Sequence, residues 1–276
     1  MKTTETIGDD KCDLAPDLPH SISDYPSVFQ HGRQLLVCGG KGNSKSCLML
    51  EGKIWHIHSN LTHERAFASS VTFPTGTYIF GGYTDSSKTT IEFLPFESSI
   101  WRSLLVKIPD PGFHTGCAVK ISDEELVLIG GIDTVNRVLS FNIKTNDWKE
   151  YRQLNQRRWG HNCAVFKEKI IIAGGWGINH DNSNAFTEII DLSTMQPRLP
   201  SEQSRDMMRT KGGLAVTTFE KKIALLAFGA ATNPSKIIHV WDPEDETWKK
   251  TNSYLSEYKY AFGYAVVPRS MICPMN

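Results

Sequence analysis

The chain has 276 residues, of which 40% are hydrophobic and 22% charged, as in an ordinary globular protein. Its 30 Lys and Arg residues balance 30 Asp and Glu residues, so no net positive field attracts polyanions, and we expect no nucleic-acid partner. No stretch approaches the roughly 20 apolar residues that cross a bilayer, and residues 1–10 lack the apolar core of a secretory signal. We therefore expect no membrane insertion and, for the sequence as written, a cytoplasmic location; an extracellular location is the alternative if the chain is a fragment.

A glycine pair after a short apolar run recurs along the chain. The pairs are Gly39-Gly40, Gly81-Gly82, Gly130-Gly131 and Gly174-Gly175, with a degraded copy at Gly229-Ala230. Their spacing of about 47 residues is the period of a propeller blade and not that of a helical repeat of about 34 residues. Because glycine tolerates positive φ and close backbone approach, each pair predicts a strand that ends in a sharp bend.

Tryptophans recur at a similar distance after the glycine pairs. They follow four of the five copies, as Trp55, Trp101, Trp148 and Trp248, and the corresponding place in the fourth repeat falls near Met195. Each repeat offers four short β runs with turns between them, and no segment shows sustained helical periodicity. The sequence therefore predicts an all-β fold of four antiparallel strands per repeat, with the indole rings filling the gaps between neighbouring sheets.

The two ends of the chain predict one further sheet. Residues 261–267 and 270–274 read as its first two strands, and residues 3–8 and 11–19 as its third and fourth. Small sheets with two apolar faces bury those faces by packing in a ring, and a blade made from both termini closes it. We predict one domain over residues 1–276, a six-bladed β-propeller whose last blade is closed by both termini.

This arrangement of glycine pairs and tryptophans resembles the kelch repeat over essentially the whole chain. The chain is also similar to invertebrate kelch-like proteins in which one cysteine precedes the first glycine pair and another follows it, here Cys38 and Cys47. The resemblance implies a protein–protein interaction module, an adaptor or scaffold that presents propeller-face loops to a partner. We expect it to be monomeric by itself and to need no cofactor. The alternatives are a kelch-type enzyme or small-molecule binder at the axial channel, and an extracellular module with a Cys38–Cys47 disulfide.

Partner-binding candidates gather at one predicted mouth of the channel and in the loops after the glycine pairs. Arginine and tryptophan are enriched at binding hot spots, and loops carry binding residues. The predicted binding residues are Arg65, Arg157, Arg158, Trp159, His161, Trp176, Asn179, His180 and Arg209. The alternative is structural: each arginine that precedes a first strand pairs with a carboxylate or carbonyl between blades, and His161 makes a structural hydrogen bond.

The remaining candidates concern modification and metal chemistry. Cys38 and Cys47 lie on neighbouring strands of one hairpin and form either a disulfide or two free thiols, whereas Cys117 and Cys163 read as buried packing residues. Asn60-Leu61-Thr62 is a sequon for N-linked glycosylation. His56 and His58 share a strand face but lack an evident third ligand, so we expect no metal site. We find no nucleophile elbow or phosphate-cradling glycine loop and expect no catalytic residues.

Overall fold

The computed structural model describes residues 16–18, 25–41, 45–177, 187–200, 214–219, 222–227 and 237–254. The regular secondary structure within these ranges is all β-strand, in five four-stranded antiparallel sheets, which confirms the all-β prediction. No helix in the described part is long and apolar enough to span a membrane. The chain divides into two compact units, with described residues up to His114 in the first and those from Thr115 onward in the second. The strands predicted for the sixth blade lie outside the described ranges, so the blade count stays a prediction.

The first unit contains two sheets whose strands follow one another in chain order. The first sheet consists of β1 Ser27–His31, β2 Gln34–Cys38, β3 Ser46–Glu51 and β4 Ile54–Asn60. The second consists of β5 Ser69–Phe73, β6 Gly76–Phe80, β7 Ile91–Pro95 and β8 Arg102–Ser103. Each strand pairs with the next along the chain, so both sheets are simple meanders.

The second unit contains three sheets with the same topology. Its first sheet consists of β9 Cys117–Lys120, β10 Glu125–Ile129, β11 Val138–Asn142 and β12 Trp148–Glu150. The next consists of β13 Asn162–Phe166, β14 Lys169–Ala173, β15 Glu188–Asp191 and β16 Gln196–Arg198. The last consists of β17 Leu214–Phe219, β18 Lys222–Ala227, β19 Ile237–Asp242 and β20 Thr247–Tyr254.

The second strand of each sheet is an almost continuous apolar run. In β2, β6, β10 and β14 both faces of the strand are covered, and Leu36, Ile79 and Ile172 have no solvent-exposed surface. A strand reads as continuously apolar when both of its faces are buried. The outermost strands differ, since both residues of β8 are exposed and β4 leaves Ile57 open to solvent.

Two of the four phased tryptophans, Trp101 and Trp248, pack between neighbouring sheets. Trp101, which precedes β8, packs with Phe29 of β1 in one buried cluster, and their ring centroids are 6.2 Å apart. In the second unit, Trp248 of β20 packs against Ile171 and Ile189 of the preceding sheet. Met195 takes the tryptophan's place in the fourth repeat and is also buried, which confirms the predicted substitution.

The glycine pairs adopt the predicted backbone conformation. Gly81 and Gly82 have φ values of 69° and 142°, and Gly174 and Gly175 have 70° and 95°. A Cβ atom placed on Gly81 would lie 1.9 Å from the carbonyl oxygen of Phe113, so no larger residue fits without moving the backbone. The four pairs within the described ranges therefore end β2, β6, β10 and β14 in a sharp bend.

Candidate functional site

Arg158 lies in the loop before β13, and its side chain is buried in an ion pair. Its Nη2 atom donates to Oε1 of Glu188 on β15 at 2.9 Å, and its Nη1 atom donates to the carbonyl of Gly174 at 3.0 Å. The backbone amides of Asn155 and Gln156 also donate to Glu188. Burial lowers the pKa of the guanidinium, and the Glu188 carboxylate opposes that shift. The Arg158–Glu188 ion pair therefore attaches the loop before β13 to the bend at Gly174-Gly175.

The same arrangement recurs around Arg65 in the first unit. Arg65 precedes β5, and its Nε atom donates to Oε1 of Glu92 on β7 at 2.8 Å, while its Nη1 atom donates to the carbonyl of Gly81. The amide of Thr62 donates to the second oxygen of Glu92 at 2.6 Å. Burial alone raises the pKa of Glu92, but Arg65 and Thr62 together hold that pKa below its ordinary value. Both side chains of the ion pair are buried.

These two ion pairs favour the structural interpretation of the repeated arginine. Arg65 and Arg158 are 1% and 0% exposed, so neither guanidinium is available to contact a partner in this conformation. Each binds the carbonyl of the first glycine of a pair and a carboxylate on the third strand of the same sheet. The predicted contact of Arg65 and Arg158 with a partner therefore has no support from their exposure. Arg209, another predicted binding residue, lies outside the described residues.

His161 is also buried, at the end of the loop that carries Arg158. A Cβ atom on Gly130 would lie 2.6 Å from its Cε1 atom, which shows how closely the ring packs on the glycine pair of the preceding sheet. Burial, reinforced by the nearby Arg158 charge, lowers the pKa of His161 to about 3. The imidazole is therefore neutral at physiological pH, and its surroundings indicate a structural position.

Trp159 and Trp176 form a pair at the loop end of the second sheet of this unit. Their backbones form an antiparallel bridge with N···O distances of 3.0 and 2.8 Å, and their rings stack with centroids 5.8 Å apart and planes 15° from parallel. Both side chains are half-buried. We call these two residues the tryptophan pair.

Local backbone geometry holds the tryptophan pair in place. Gly175 directly precedes Trp176, and a Cβ atom there would lie 2.7 Å from the carbonyl oxygen of Trp159. Gly160 follows Trp159 with a φ of 64°, which turns the chain into β13. Arg157, on the other side of Arg158, is exposed. The loop thus buries the guanidinium of Arg158, while Trp159 and Arg157 on either side place an indole and a guanidinium at the surface.

An aromatic cluster occupies the corresponding loops of the first unit. Tyr25 stacks on Phe67 at 3.9 Å, and Tyr83, which directly follows Gly82, lies 6.0 Å from Phe67. Tyr83 is 58% exposed, and Nζ of Lys41 lies 5.7 Å from the Phe67 ring centroid. Tyr25 and Phe67 are not among the binding residues predicted from the sequence. The sequence feature that could have identified them is their position, because each lies two residues before the first strand of a sheet. In the structure both have positive φ, 64° and 61°, as does Gly160 at the matching position.

The other predicted contact residues give a mixed outcome. The structure brings together Arg157, Arg158, Trp159, His161 and Trp176 within one loop region, but it buries Arg158 and His161. Asn179 and His180 lie outside the described residues. Their part in partner binding stays a prediction.

The four cysteines within the described ranges are paired. Cys38 and Cys47 are direct cross-strand partners on β2 and β3, and the structure joins them in a disulfide with Cα atoms 4.1 Å apart. Cys117 of β9 and Cys163 of β13 are joined as well, with Cα atoms 5.9 Å apart. The sequence pattern predicts Cys117 and Cys163 only as buried packing residues. Both are buried, but their pairing is not predictable from the pattern, because the two strands are adjacent only in the folded chain.

The remaining candidates lie on β4 or just beyond it. Asn60 is its last residue and is exposed. His56 is exposed and His58 is half-buried. Within the described ranges, no group of three or more His, Cys, Asp or Glu side chains is arranged to hold a metal ion.

Comparison with known proteins places these sheets and loops in a family. Residues 67–266 match the family described as the KLHDC2/KLHL20/DRC7 Kelch-repeats domain. The chain belongs to the kelch-repeat family. Its four-stranded sheets are therefore blades of a kelch β-propeller, as the repeats predicted, and kelch repeats commonly serve as protein-interaction modules.

Individual relatives are distant and longer than the matched segments. Kelch-like protein 41a of Danio rerio is 25% identical over 141 residues, which is 49% of this chain and 22% of that protein. Kelch domain-containing protein 10 of Rattus norvegicus is 23% identical over 179 residues, which is 54% of this chain and 43% of the relative. The Mus musculus protein of that name is also 23% identical over 179 residues and is covered to 40%. The matched segments therefore span less than half of these relatives, and the comparisons do not favour the enzyme alternative.

Proposed function

We propose that this kelch domain binds a partner protein through the loops that follow its glycine pairs and the loop before β13, with the tryptophan pair as the principal anchor. The observation that carries the proposal is the stacking of Trp159 on Trp176, two half-buried indole rings held by a backbone bridge. Large aromatic side chains contribute most of the binding free energy at many protein interfaces. Arg157, exposed on the same loop, suits an acidic group on the partner.

The geometry also lowers the entropic cost of binding. A side chain that is ordered before the partner arrives loses little freedom on binding, and this increases affinity. The bridge between Trp159 and Trp176 and the buried pair of Arg158 and Glu188 both fix the loop. The buried arginine thus supports the proposed surface without touching the partner.

A two-step experiment tests the proposal. In the first step, a photo-crosslinking amino acid replaces Trp176, and a control protein carries it at Leu105, which is 99% exposed in the other unit. We expect position 176, and not position 105, to capture a defined partner. Because a bulky probe can perturb a loop, the second step measures the affinity of that purified partner for unlabelled variants.

In the affinity measurement, Trp176→Ala should weaken binding by about 30-fold or more, the loss of a hot-spot residue. Trp176→Phe should restore part of the affinity, Arg157→Ala should cause a smaller loss, and Leu105→Ala should cause none. Thermal unfolding of each variant would check that the fold is retained. Equal affinity of the wild-type protein and a folded Trp176→Ala variant would overturn the proposed surface.

A further inference from the structure

The sequon at Asn60 is presented at the end of an outermost strand. Its middle residue, Leu61, is 3% exposed and packs in a buried cluster with Cys38, Cys47 and Trp101. Asn60 and Thr62 on either side are exposed. The core therefore holds the sequon by its central side chain, while the asparagine amide and the threonine hydroxyl lie at the surface.

The backbone of this segment is anchored independently of the two exposed side chains. The amide of Leu61 donates to the carbonyl of Lys45 at 2.8 Å, and the amide of Thr62 donates to Glu92 at 2.6 Å. Among the described strands, β4 lies at the edge of its sheet and pairs with β3 alone. A bulky group on the Asn60 amide would therefore extend into solvent without displacing the core or a hydrogen bond of the sheet.

The paired cysteines are a separate observation that points to the same compartment. Cys38 with Cys47, and Cys117 with Cys163, place buried sulfur atoms against each other in both units. Their Cα distances lie below the limit of about 7 Å beyond which a disulfide cannot form. Disulfides persist in oxidising environments such as the endoplasmic reticulum lumen and are rare in the cytosol. N-linked glycosylation of Asn-X-Ser/Thr is a modification of secreted proteins.

We propose that Asn60 carries an N-linked glycan and that the protein folds in an oxidising secretory compartment with both disulfides closed. In the glycosylation step, the Asn60 Nδ2 atom loses a proton and bonds to the anomeric carbon of an oligosaccharide, whose bond to a lipid pyrophosphate breaks. The lipid pyrophosphate departs, and a base of the transferase accepts the proton. In each oxidation step, two thiols pass two protons and two electrons to the exchangeable disulfide of an oxidoreductase.

The chain contains a natural negative control for this chemistry. Asn233-Pro234-Ser235 has the spacing of a sequon, but its central proline excludes modification. A glycan at Asn60 and none at Asn233 would therefore follow from the sequon rule. Modification at both sites, or at Asn233 alone, would contradict the proposal.

The test begins with the protein from its native source, alkylated without reduction and digested with trypsin. The informative peptide covers residues 54–65. After treatment with peptide N-glycosidase in heavy-oxygen water, we expect Asn60 to appear as an aspartate that carries the heavy isotope. We also expect Cys38 linked to Cys47, and Cys117 to Cys163. An unmodified Asn60, or alkylated free thiols at either cysteine pair, would overturn the proposal.

Matched variants test whether the folded chain accepts the glycan at this position. The chain is expressed behind a heterologous signal peptide in animal cells, and its electrophoretic mobility is compared before and after glycosidase treatment. We expect the wild-type protein and Thr62→Ser to shift, and Asn60→Gln and Thr62→Val to show no shift. Thr62→Val keeps the backbone amide that donates to Glu92, so loss of its shift would reflect the missing hydroxyl. A wild-type protein that is secreted but does not shift would contradict the proposal.

Discussion

Arg158 and Glu188 approach to 2.9 Å with both side chains fully buried. Arg65 and Glu92 occupy the matching positions of another blade at 2.8 Å. A buried charge is costly to leave unpaired, so such pairs are sensitive to the loss of one partner. Each arginine also binds a carbonyl of a glycine pair. The two ion pairs therefore hold the loops on which the proposed binding surface depends.

Loss of the buried arginine should be severe. We expect Arg158→Ala to lower the free energy of unfolding by about 3–5 kcal/mol, since it leaves the buried side chain of Glu188 without its charged partner. Urea unfolding followed by tryptophan fluorescence measures the change. The control is Arg137→Ala, which removes an ion pair of 3.0 Å with the more exposed Glu150 and should cost about 0–1 kcal/mol. Similar costs for the two variants would show that burial is not the deciding factor.

An apolar replacement of both charges should be tolerated better than loss of one. The repeat that contains β9 has Phe113 and Leu139 at the positions that correspond to Arg158 and Glu188, and both are buried. We therefore expect Arg158→Phe with Glu188→Leu to be more stable than Arg158→Ala alone, because no charge is left unpaired. A double variant less stable than the single one would show that the hydrogen bonds to the Gly174 carbonyl and the loop amides outweigh the removal of the charges.

Acid should destabilise the protein through its buried histidines. The pKa of His161 falls from 6.5 to about 3 on folding, mainly because of burial. Between those values the unfolded chain binds a proton that the folded protein does not, so stability is lost as the pH falls through this window, by up to about 1.4 kcal/mol per pH unit. His161→Gln should reduce the loss of unfolding free energy between pH 7 and pH 5 by about 2 kcal/mol.

His31 provides an internal comparison for the acid effect. Burial lowers its pKa to about 4, so stability is again lost as the pH falls, over a narrower pH range than for His161. His31→Gln should also flatten the pH dependence, and the two substitutions together should flatten it further. Urea unfolding at a series of pH values measures all three variants. An unchanged slope in the double variant would mean that other groups cause the acid sensitivity.

The two disulfides should differ in their contribution to stability. Cys117 and Cys163 are 46 residues apart and Cys38 and Cys47 are 9 apart, so closing the first pair restricts the unfolded chain more. The chain-entropy relation gives about 4 kcal/mol for the longer loop and about 2.5 kcal/mol for the shorter one. We expect Cys117→Ala with Cys163→Ala to lower the melting temperature more than Cys38→Ala with Cys47→Ala. An oxidised wild-type protein whose stability does not change on reduction would contradict the prediction.

The glycine pair should tolerate no side chain. Gly81→Ala places a Cβ atom 1.9 Å from the Phe113 carbonyl oxygen at a φ of 69°, and the backbone must move to accommodate it. The control is Gly52→Ala. Gly52 has a φ of 60°, and no atom lies within 4 Å of a Cβ atom added there. This substitution should therefore cost only about 1–2 kcal/mol, the penalty for placing a non-glycine residue in the left-handed region. We expect Gly81→Ala to cost distinctly more or to prevent folding, as judged by circular dichroism and urea unfolding. Equal costs would indicate that the loop moves freely.

The repeats were readable from the sequence because their signals are local. The glycine pairs, the spacing of the tryptophans and the replacement of one tryptophan by Met195 all reflect the residues that a single four-stranded sheet requires. Each blade has the same requirement. The burial of Met195 and the bend at Gly81 follow from the pattern without knowledge of what lies nearby. The contact residues could not be chosen as reliably, since Arg157 and Arg158 are identical in type and adjacent in sequence.

Sequence by itself determined the family, the strands and the turns of this protein. Tertiary structure decided which polar and sulfur-bearing side chains meet: Arg158 with Glu188, Cys117 with Cys163, and Trp159 with Trp176. Residues 17 to 46 positions apart in the chain form these pairs, and burial at each depends on the strand or loop packed against it. A local pattern indicates what a segment can become, but the exposure of a charge or a ring depends on its neighbours in space, which only the fold brings together.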